Sequence, residues 1–68
     1  MVLGEALRKA RVGAGLTQEE LAFKADVSRN YISLLERGEK SPTVQLLLRL
    51  SKALGVKAST IVGRIERN

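Results

Sequence analysis

The chain contains neither cysteine nor histidine. Without cysteine, a disulfide framework or a thiolate metal site cannot form. Without histidine, zinc coordination and imidazole acid–base chemistry are excluded as well. The remaining serine, lysine and carboxylate side chains form no recognisable set of nucleophile, base and orienting group. We therefore expect a protein that is not an enzyme and that uses no metal or cofactor.

Long hydrophobic runs are missing too. No stretch approaches the roughly 18 consecutive apolar residues of a membrane-spanning helix, and no signal-peptide pattern opens the chain, so we expect a cytoplasmic location. Hydrophobic residues nevertheless make up 44% of the 68 residues, which is enough for a packed core and argues against disorder. A chain of this length predicts a single domain over residues 1–68.

Acidic residues are in the minority. The sequence has 12 lysines and arginines against 7 aspartates and glutamates, which gives a net charge of +5. This excess indicates a polyanionic partner, either nucleic acid or an anionic membrane surface. A cationic surface without a partner is the alternative interpretation.

Helical patterns fill almost the whole chain and strand patterns are nearly absent, so the predicted fold class is all-α. Apolar residues recur at the three- and four-residue spacing of amphipathic helices, and turn residues such as glycine separate the segments. The pattern predicts five short helices, at about residues 3–12, 17–25, 28–37, 43–54 and 58–66.

Capping residues set the predicted boundaries. Thr17 and Glu20 have the spacing of a capping box at the start of the second helix. Ser28 is a good N-cap for the third helix, and Gly38 follows the end of that helix as a C′ glycine. Ser59 is expected to cap the fifth helix.

The third predicted helix has two unlike faces. Ile32 and Leu35 project to one side. A row of polar groups lies on the other side: Arg29, Asn30, Ser33 and Arg37. These groups suit the DNA major groove, because arginine can donate two hydrogen bonds to guanine and asparagine can pair with adenine. Taken alone, the same face is equally typical of a helix that only meets solvent.

The preceding helix favours the DNA-binding interpretation. Two short helices joined by a turn of about three residues have the geometry of a helix-turn-helix, whose second helix enters the groove by its N-terminal end. The segment LTQEELAFKADVSRNYISLLERGEKSPTVQLLLRLSKALGV, residues 16–56, resembles the DNA-binding domain of the phage-repressor and Cro-like (XRE) family. TQEELA, VSRNYIS, LERG and SP occur together at the family's spacing. The resemblance implies a five-helix, lambda-repressor-like fold with its helix-turn-helix at about residues 17–37.

The resemblance also implies roles for individual residues. The positions that face DNA bases are Ser28, Arg29, Asn30, Ser33 and Leu34. The residues expected to approach phosphates are Thr17, Gln18, Tyr31, Arg37 and Lys40. Glu36 matches a family glutamate that pairs with an arginine of the first helix, here Arg11, in a structural ion pair.

Two residues depart from the family pattern. Leu34 takes a position that is often long and polar in the family, and it either contacts a thymine methyl group or lies outside the base contacts. Phe23 points away from the apolar side of the second helix. It packs near Tyr31, covers a neighbouring loop or touches a DNA sugar, and of these we expect packing.

A second copy of the chain is expected. At about 1–3 kcal/mol per base pair, one helix in the groove distinguishes its site from other sequences too weakly to find that site in a genome. Two copies bound side by side would double the number of base pairs that are read.

The fourth and fifth predicted helices carry more apolar residues than one core needs. We expect four residues of the fourth helix to face the core: Val44, Leu47, Leu48 and Leu54. Three others form a second apolar stripe: Leu46, Leu50 and Ala53. The predicted dimer interface combines the ends of helices 4 and 5: Leu50, Leu54, Ile61, Val62 and Ile65. Alternatively, the fifth helix only covers the core of a monomer.

Together these features predict a sequence-specific transcription regulator that binds double-stranded DNA. It would act as a homodimer on a palindromic operator, with residues 28–37 in the major groove. No membrane partner and no small-molecule effector are expected. The alternative is an antitoxin-like protein-interaction module that binds a partner protein through helices 4 and 5. Such a module should have lost Arg29 and Asn30, which this chain retains.

Overall fold

Five helices and no strand make up residues 2–66, the part of the chain that the computed structural model describes. In chain order they are α1 (Leu3–Gly13), α2 (Gln18–Ala25), α3 (Arg29–Glu36), α4 (Val44–Leu54) and α5 (Ala58–Glu66). The all-α, five-helix prediction is confirmed. The predicted domain of residues 1–68 also includes residues 1, 67 and 68, which lie outside the described residues. None of the helices within residues 2–66 has the length and apolar character needed to cross a membrane.

Side-chain caps fix the starts of three helices. The Thr17 hydroxyl accepts a hydrogen bond from the Glu20 N–H at 3.0 Å, and the Glu20 carboxylate accepts one from the Thr17 N–H at 2.8 Å. This is the predicted capping box. The hydroxyls of Ser28 and Thr43 cap α3 and α4 in the same way. Gly38, just after α3, has a φ of +77°, a left-handed conformation that glycine adopts without steric cost.

The cap of α5 differs from the prediction. Ser59 is the second residue of the helix and not its N-cap, because α5 begins at Ala58. The Thr60 N–H donates to the Lys57 carbonyl at 2.9 Å. The helix therefore begins two residues earlier than a cap at Ser59 would place it.

All five helices contribute to one cluster of buried side chains. Its members are Ala6, Leu7, Ala10, Leu21, Ala22, Ala25, Ile32, Leu35, Leu46, Leu50, Leu54 and Ile61. Helix α2 packs against α3 and α4, while α1 packs against α3 and α5. The alanines of α1 and α2 are small enough for neighbouring helices to approach closely. This packing anchors one side of α3 and leaves its other side uncovered.

The rotation of α4 differs from the predicted one. The structure buries a different set of residues: Leu46, Leu50, Ser51 and Leu54. Val44 is 74% exposed and Leu48 is 55% exposed, so the prediction that they face the core is wrong. Of the predicted core residues, only Leu54 is buried, and Leu47 is half-buried. The buried side lies opposite the exposed Gln45, Arg49 and Lys52 and packs against α2 and α5.

Helix α1 approaches the end of α3 very closely at Gly4. A Cβ atom on Gly4 would lie 2.5 Å from the Glu36 carbonyl oxygen and 2.7 Å from the Leu35 carbonyl oxygen. Only glycine permits this approach, because it has no Cβ atom. The contact brings the amino end of α1 to the carboxyl end of α3, where the partial charges of the two helix dipoles are opposite.

Candidate nucleic-acid interface

Helix α3 has a buried side and an outer side. The buried side consists of Ile32 and Leu35. The predicted base-facing residues lie at the cap and in the first two turns: Ser28, Arg29, Asn30, Ser33 and Leu34. Arg29 and Asn30 are exposed, whereas Ser33 and Leu34 are half-buried. Because its opposite side is anchored in the core, α3 presents these groups on a rigid support.

Arg29 and Asn30 are the freest polar groups on this face. Among the side chains of residues 2–65, neither has a hydrogen-bond or ion-pair partner. The Ser28 hydroxyl, by contrast, accepts the Tyr31 N–H at 3.0 Å as the cap of α3. The guanidinium and the amide can therefore bind another molecule without first breaking an intramolecular contact.

The residues predicted to approach phosphates differ in exposure and in the contacts that their side chains already make within the protein. The Thr17 hydroxyl is engaged in the capping box of α2. Arg37 pairs with Glu39 at 3.2 Å in an exposed turn, a contact of the kind that contributes little free energy. Lys40 is exposed and Tyr31 is half-buried. Arg37 and Lys40 thus place exposed positive charge beyond the carboxyl end of α3.

A largely buried polar network joins α1, α2 and α3. The Glu36 carboxylate accepts hydrogen bonds from Nε of Arg11 at 2.7 Å and from Nη2 of Arg11 at 3.1 Å. The Glu36 side chain is only 4% exposed. Gln18 donates from Nε2 to Glu36 at 3.1 Å, and Arg11 donates from Nη1 to the Leu16 carbonyl at 2.8 Å. The ion pair expected between Arg11 and Glu36 is present and joins α1 to the end of α3, while Gln18 joins the start of α2 to the same carboxylate.

Arg49 of α4 is bonded to the turn between α2 and α3, and no sequence pattern indicates this contact. Asp26 in this turn has a left-handed backbone conformation, with φ at 59°. Nη2 of Arg49 donates to the carbonyl of Ala25 and, at 3.0 Å, to the carbonyl of Asp26. These bonds join a side chain of α4 to backbone 24 and 23 residues earlier, so neither periodicity nor a local motif could reveal them.

The packing predicted for Phe23 is wrong. Its ring is 87% exposed. Ala22 and Ala25 occupy the buried side of α2, and Phe23 lies on the outer side beside Glu19 and Glu20. The small alanines bring α3 and α4 close to α2 and leave the larger ring in solvent.

Three of the five predicted dimer-interface residues cannot meet a second chain. Leu50 and Ile61 are 0% exposed, and Leu54 is also buried. These side chains fill the core of one chain, so their assignment to the interface is corrected. Val62 is exposed and Ile65 is half-buried, so both remain accessible.

One carboxyl group beside the interface has a shifted pKa. The hydrogen bond from the Thr17 N–H, followed by the contact with the Thr17 hydroxyl and by the charge of Lys24, lowers the pKa of Glu20 below its ordinary value. The capping carboxylate at the start of α2 is therefore ionised at neutral pH.

Comparisons with known proteins agree with this geometry. The sequence model of the helix-turn-helix family matches residues 7–61. An uncharacterized HTH-type transcriptional regulator of Sinorhizobium fredii is 41% identical over 61 residues, which cover 90% of this chain and 79% of that protein. The immunity repressor protein of Bacillus phage phi105 is 38% identical over 93% of this chain, which spans only 44% of the repressor. The crystal structure of the restriction-modification controller protein C.AhdI from Aeromonas hydrophila gives a TM-score of 0.85 at 34% identity, over 87% of this chain and 86% of that chain. The chain therefore belongs to the helix-turn-helix family, in its phage-repressor and Cro-like branch.

Proposed function

We propose that this chain is a sequence-specific DNA-binding transcription regulator whose helix α3 enters the major groove. The outer face of α3 carries the proposal, because Arg29 and Asn30 are exposed there and have no partner among the described residues. The Arg29 guanidinium offers donors, and the Asn30 amide offers a donor and an acceptor, that match base edges in the major groove. The relatives support the proposal, since an HTH-type transcriptional regulator and a phage immunity repressor share this part of the chain.

Contacts to phosphates would set the register of α3 on the duplex. Gln18 lies at the amino end of α2, and its amide retains one N–H after the bond to Glu36. Arg37 and Lys40 supply positive charge near the other end of α3. Such contacts orient the protein but do not distinguish one sequence from another. The net charge of +5 adds an attraction to DNA that weakens with salt.

Selection from a pool of random duplexes tests the DNA-reading proposal. We expect a palindromic sequence to be enriched. Arg29→Ala should weaken binding to that sequence about 5- to 150-fold for each half-site, and binding to random DNA much less. Arg8→Ala, on the outer side of α1, is the matched control, because it removes the same charge from an exposed arginine. If nothing is enriched and binding only follows the salt concentration, the alternative of a partner-protein module on α4 and α5 becomes the better interpretation.

We further propose that two copies bind the operator together. Helix α3 has eight residues, so it reaches only a few base pairs. A two-fold dimer places two such helices about one turn of DNA apart. Exposed apolar residues on α4 and α5 are available to a second copy: Val44, Leu48 and Val62. Helices α4 and α5 pack against each other, so one interface can include residues of both.

Analytical ultracentrifugation tests the dimer. At a protein concentration of tens of micromolar, we expect the sedimenting species to have the mass of two copies. Leu48→Glu and Val62→Glu should each shift the mass toward that of one copy, because a carboxylate would have to be buried in the interface. Val12→Glu is the control, since Val12 is exposed on the outer side of α1. A wild-type chain with the mass of one copy would contradict the proposal.

A further inference from the structure

Arg49 connects α4 to the turn of the helix-turn-helix. Its Nη2 donates to the Ala25 carbonyl and, at 3.0 Å, to the Asp26 carbonyl. The Asp26 carboxylate lies 4.0 Å from the same nitrogen but is fully exposed, so this ion pair contributes little. The two bonds to backbone carbonyls are therefore the contacts that matter at this turn.

The other hydrogen bonds of the turn are local. The Val27 N–H donates to the Ala22 carbonyl, and the Asp26 N–H donates to the Phe23 carbonyl. Both bonds join the turn to the last residues of α2, and neither connects it to another helix. The Ala25 carbonyl, the last of α2, has no intrahelical donor, and a cation at this end is favoured by the helix dipole. Among the described residues, Arg49 makes the hydrogen bonds that tie this turn to α4.

The turn lies next to the face that would read DNA. Ser28 caps α3 only two residues after Asp26, and Arg29 and Asn30 form its first turn. A change in backbone direction at Asp26 would therefore move the side chains of Arg29 and Asn30. Groups that recognise a ligand need positions held to within about 0.5 Å by their supporting residues. Resting on the proposed function above, we propose that Arg49 is a positioning residue, which fixes the angle between α2 and α3 and does not itself contact DNA.

Lys52 provides a matched control for Arg49. Both residues are exposed on α4, and Lys52 has no hydrogen-bond or ion-pair partner among the side chains of residues 2–65. Arg49→Met and Lys52→Met each remove one positive charge and keep a long unbranched side chain. Both are compared with the wild type at a temperature where circular dichroism shows all three to be folded. We expect Arg49→Met to bind the selected duplex roughly tenfold more weakly than Lys52→Met does.

Two further measurements separate positioning from charge. Arg49→Met should lose part of its preference for the selected duplex over a duplex altered at the base pair that Arg29 reads. The salt dependence of its DNA affinity should stay equal to that of Lys52→Met. In the free protein, the Val27 N–H should exchange faster with solvent in Arg49→Met than in Lys52→Met. Arg49→Lys keeps the charge but replaces the planar guanidinium with a single ammonium group. We therefore expect its affinity for the selected duplex to lie between those of the wild type and Arg49→Met. It takes the place of Arg49→Met if that variant does not fold.

Each contrary outcome has a distinct meaning. Equal affinity and equal base preference in Arg49→Met and Lys52→Met would overturn the inference and leave the proposed function intact. A salt slope lower by about 0.9 in Arg49→Met, with base preference unchanged, would show that Arg49 contacts a phosphate directly and would also overturn it. A wild-type chain that selects no sequence would remove the proposed function, and the inference with it.

Discussion

The substitution Arg11→Met should destabilise the fold by about 3–5 kcal/mol, because it leaves a buried carboxylate without its cation. The Glu36 side chain is 4% exposed and accepts two hydrogen bonds from Arg11. In the variant, Gln18 would be its remaining side-chain donor among the described residues. The Leu16 carbonyl would also lose the donor that it has in Arg11.

This loss is large for so small a domain. At roughly 0.05–0.15 kcal/mol per residue, a chain of 68 residues has about 3–10 kcal/mol of stability in total. Arg11→Met should therefore be partly unfolded even without denaturant, or unfold at a much lower urea concentration. The double variant Arg11→Met with Glu36→Met removes the charge together with its partner. It should recover about 2 kcal/mol or more relative to the single variant.

Urea unfolding followed by circular dichroism measures these differences. The method suits a chain with one tyrosine and no tryptophan. All variants are compared at one chain concentration, because association adds to stability. Arg37→Met is the control: it breaks the exposed pair with Glu39 and should cost less than about 1 kcal/mol. Equal losses in Arg11→Met and Arg37→Met, or a double variant no more stable than the single one, would show that the buried Glu36 carboxylate does not depend on Arg11.

Two further predictions concern stability. Gly4→Ala would place a Cβ atom 2.5 Å from the Glu36 carbonyl oxygen, and we expect a loss of about 1–3 kcal/mol in urea unfolding. Gly13→Ala, whose Cβ atom would meet nothing within 4 Å, should be neutral or stabilising by up to about 1 kcal/mol, and an equal loss in both variants would contradict the close contact. Because the fold lowers the pKa of Glu20, the stability that this group contributes is present above its unfolded pKa and is lost as pH falls through its folded pKa. Glu20→Gln retains a capping side chain, so it should lose less stability than the wild type between about pH 6 and about pH 3; an equal loss would show that Glu20 does not contribute.

Local signals were enough to place most helix ends. Thr17 and Glu20 bond to each other within one turn, and Ser28 caps α3 three residues from its donor. Because partners this close are visible in the sequence, their contacts can be predicted from spacing alone. The ion pair of Arg11 with Glu36 spans 25 residues, and only the family resemblance indicated it.

The buried face of α4 was predicted wrongly although the helical period indicates it. Gln45, Arg49 and Lys52 share one exposed side of the helix, and the buried leucines lie opposite that side. Val44 and Leu48 lie at the edge of the apolar arc and remain in solvent. Ser51 lies on the buried side, where its hydroxyl donates to the Leu47 carbonyl at 2.8 Å. The contact of Arg49 with the turn after α2 could not be predicted, since the fold of another helix places its two acceptors.

Arg29 is proposed to read a base pair from the major groove, and methylation interference on the selected duplex tests this contact. A methyl group on guanine N7 obstructs the major groove, whereas one on adenine N3 obstructs the minor groove. For the wild type we expect interference at guanine N7 at matching positions of the two half-sites, and we expect that interference to disappear in Arg29→Ala. Guanine interference that persists unchanged in Arg29→Ala, or interference confined to adenine N3, would contradict the claim.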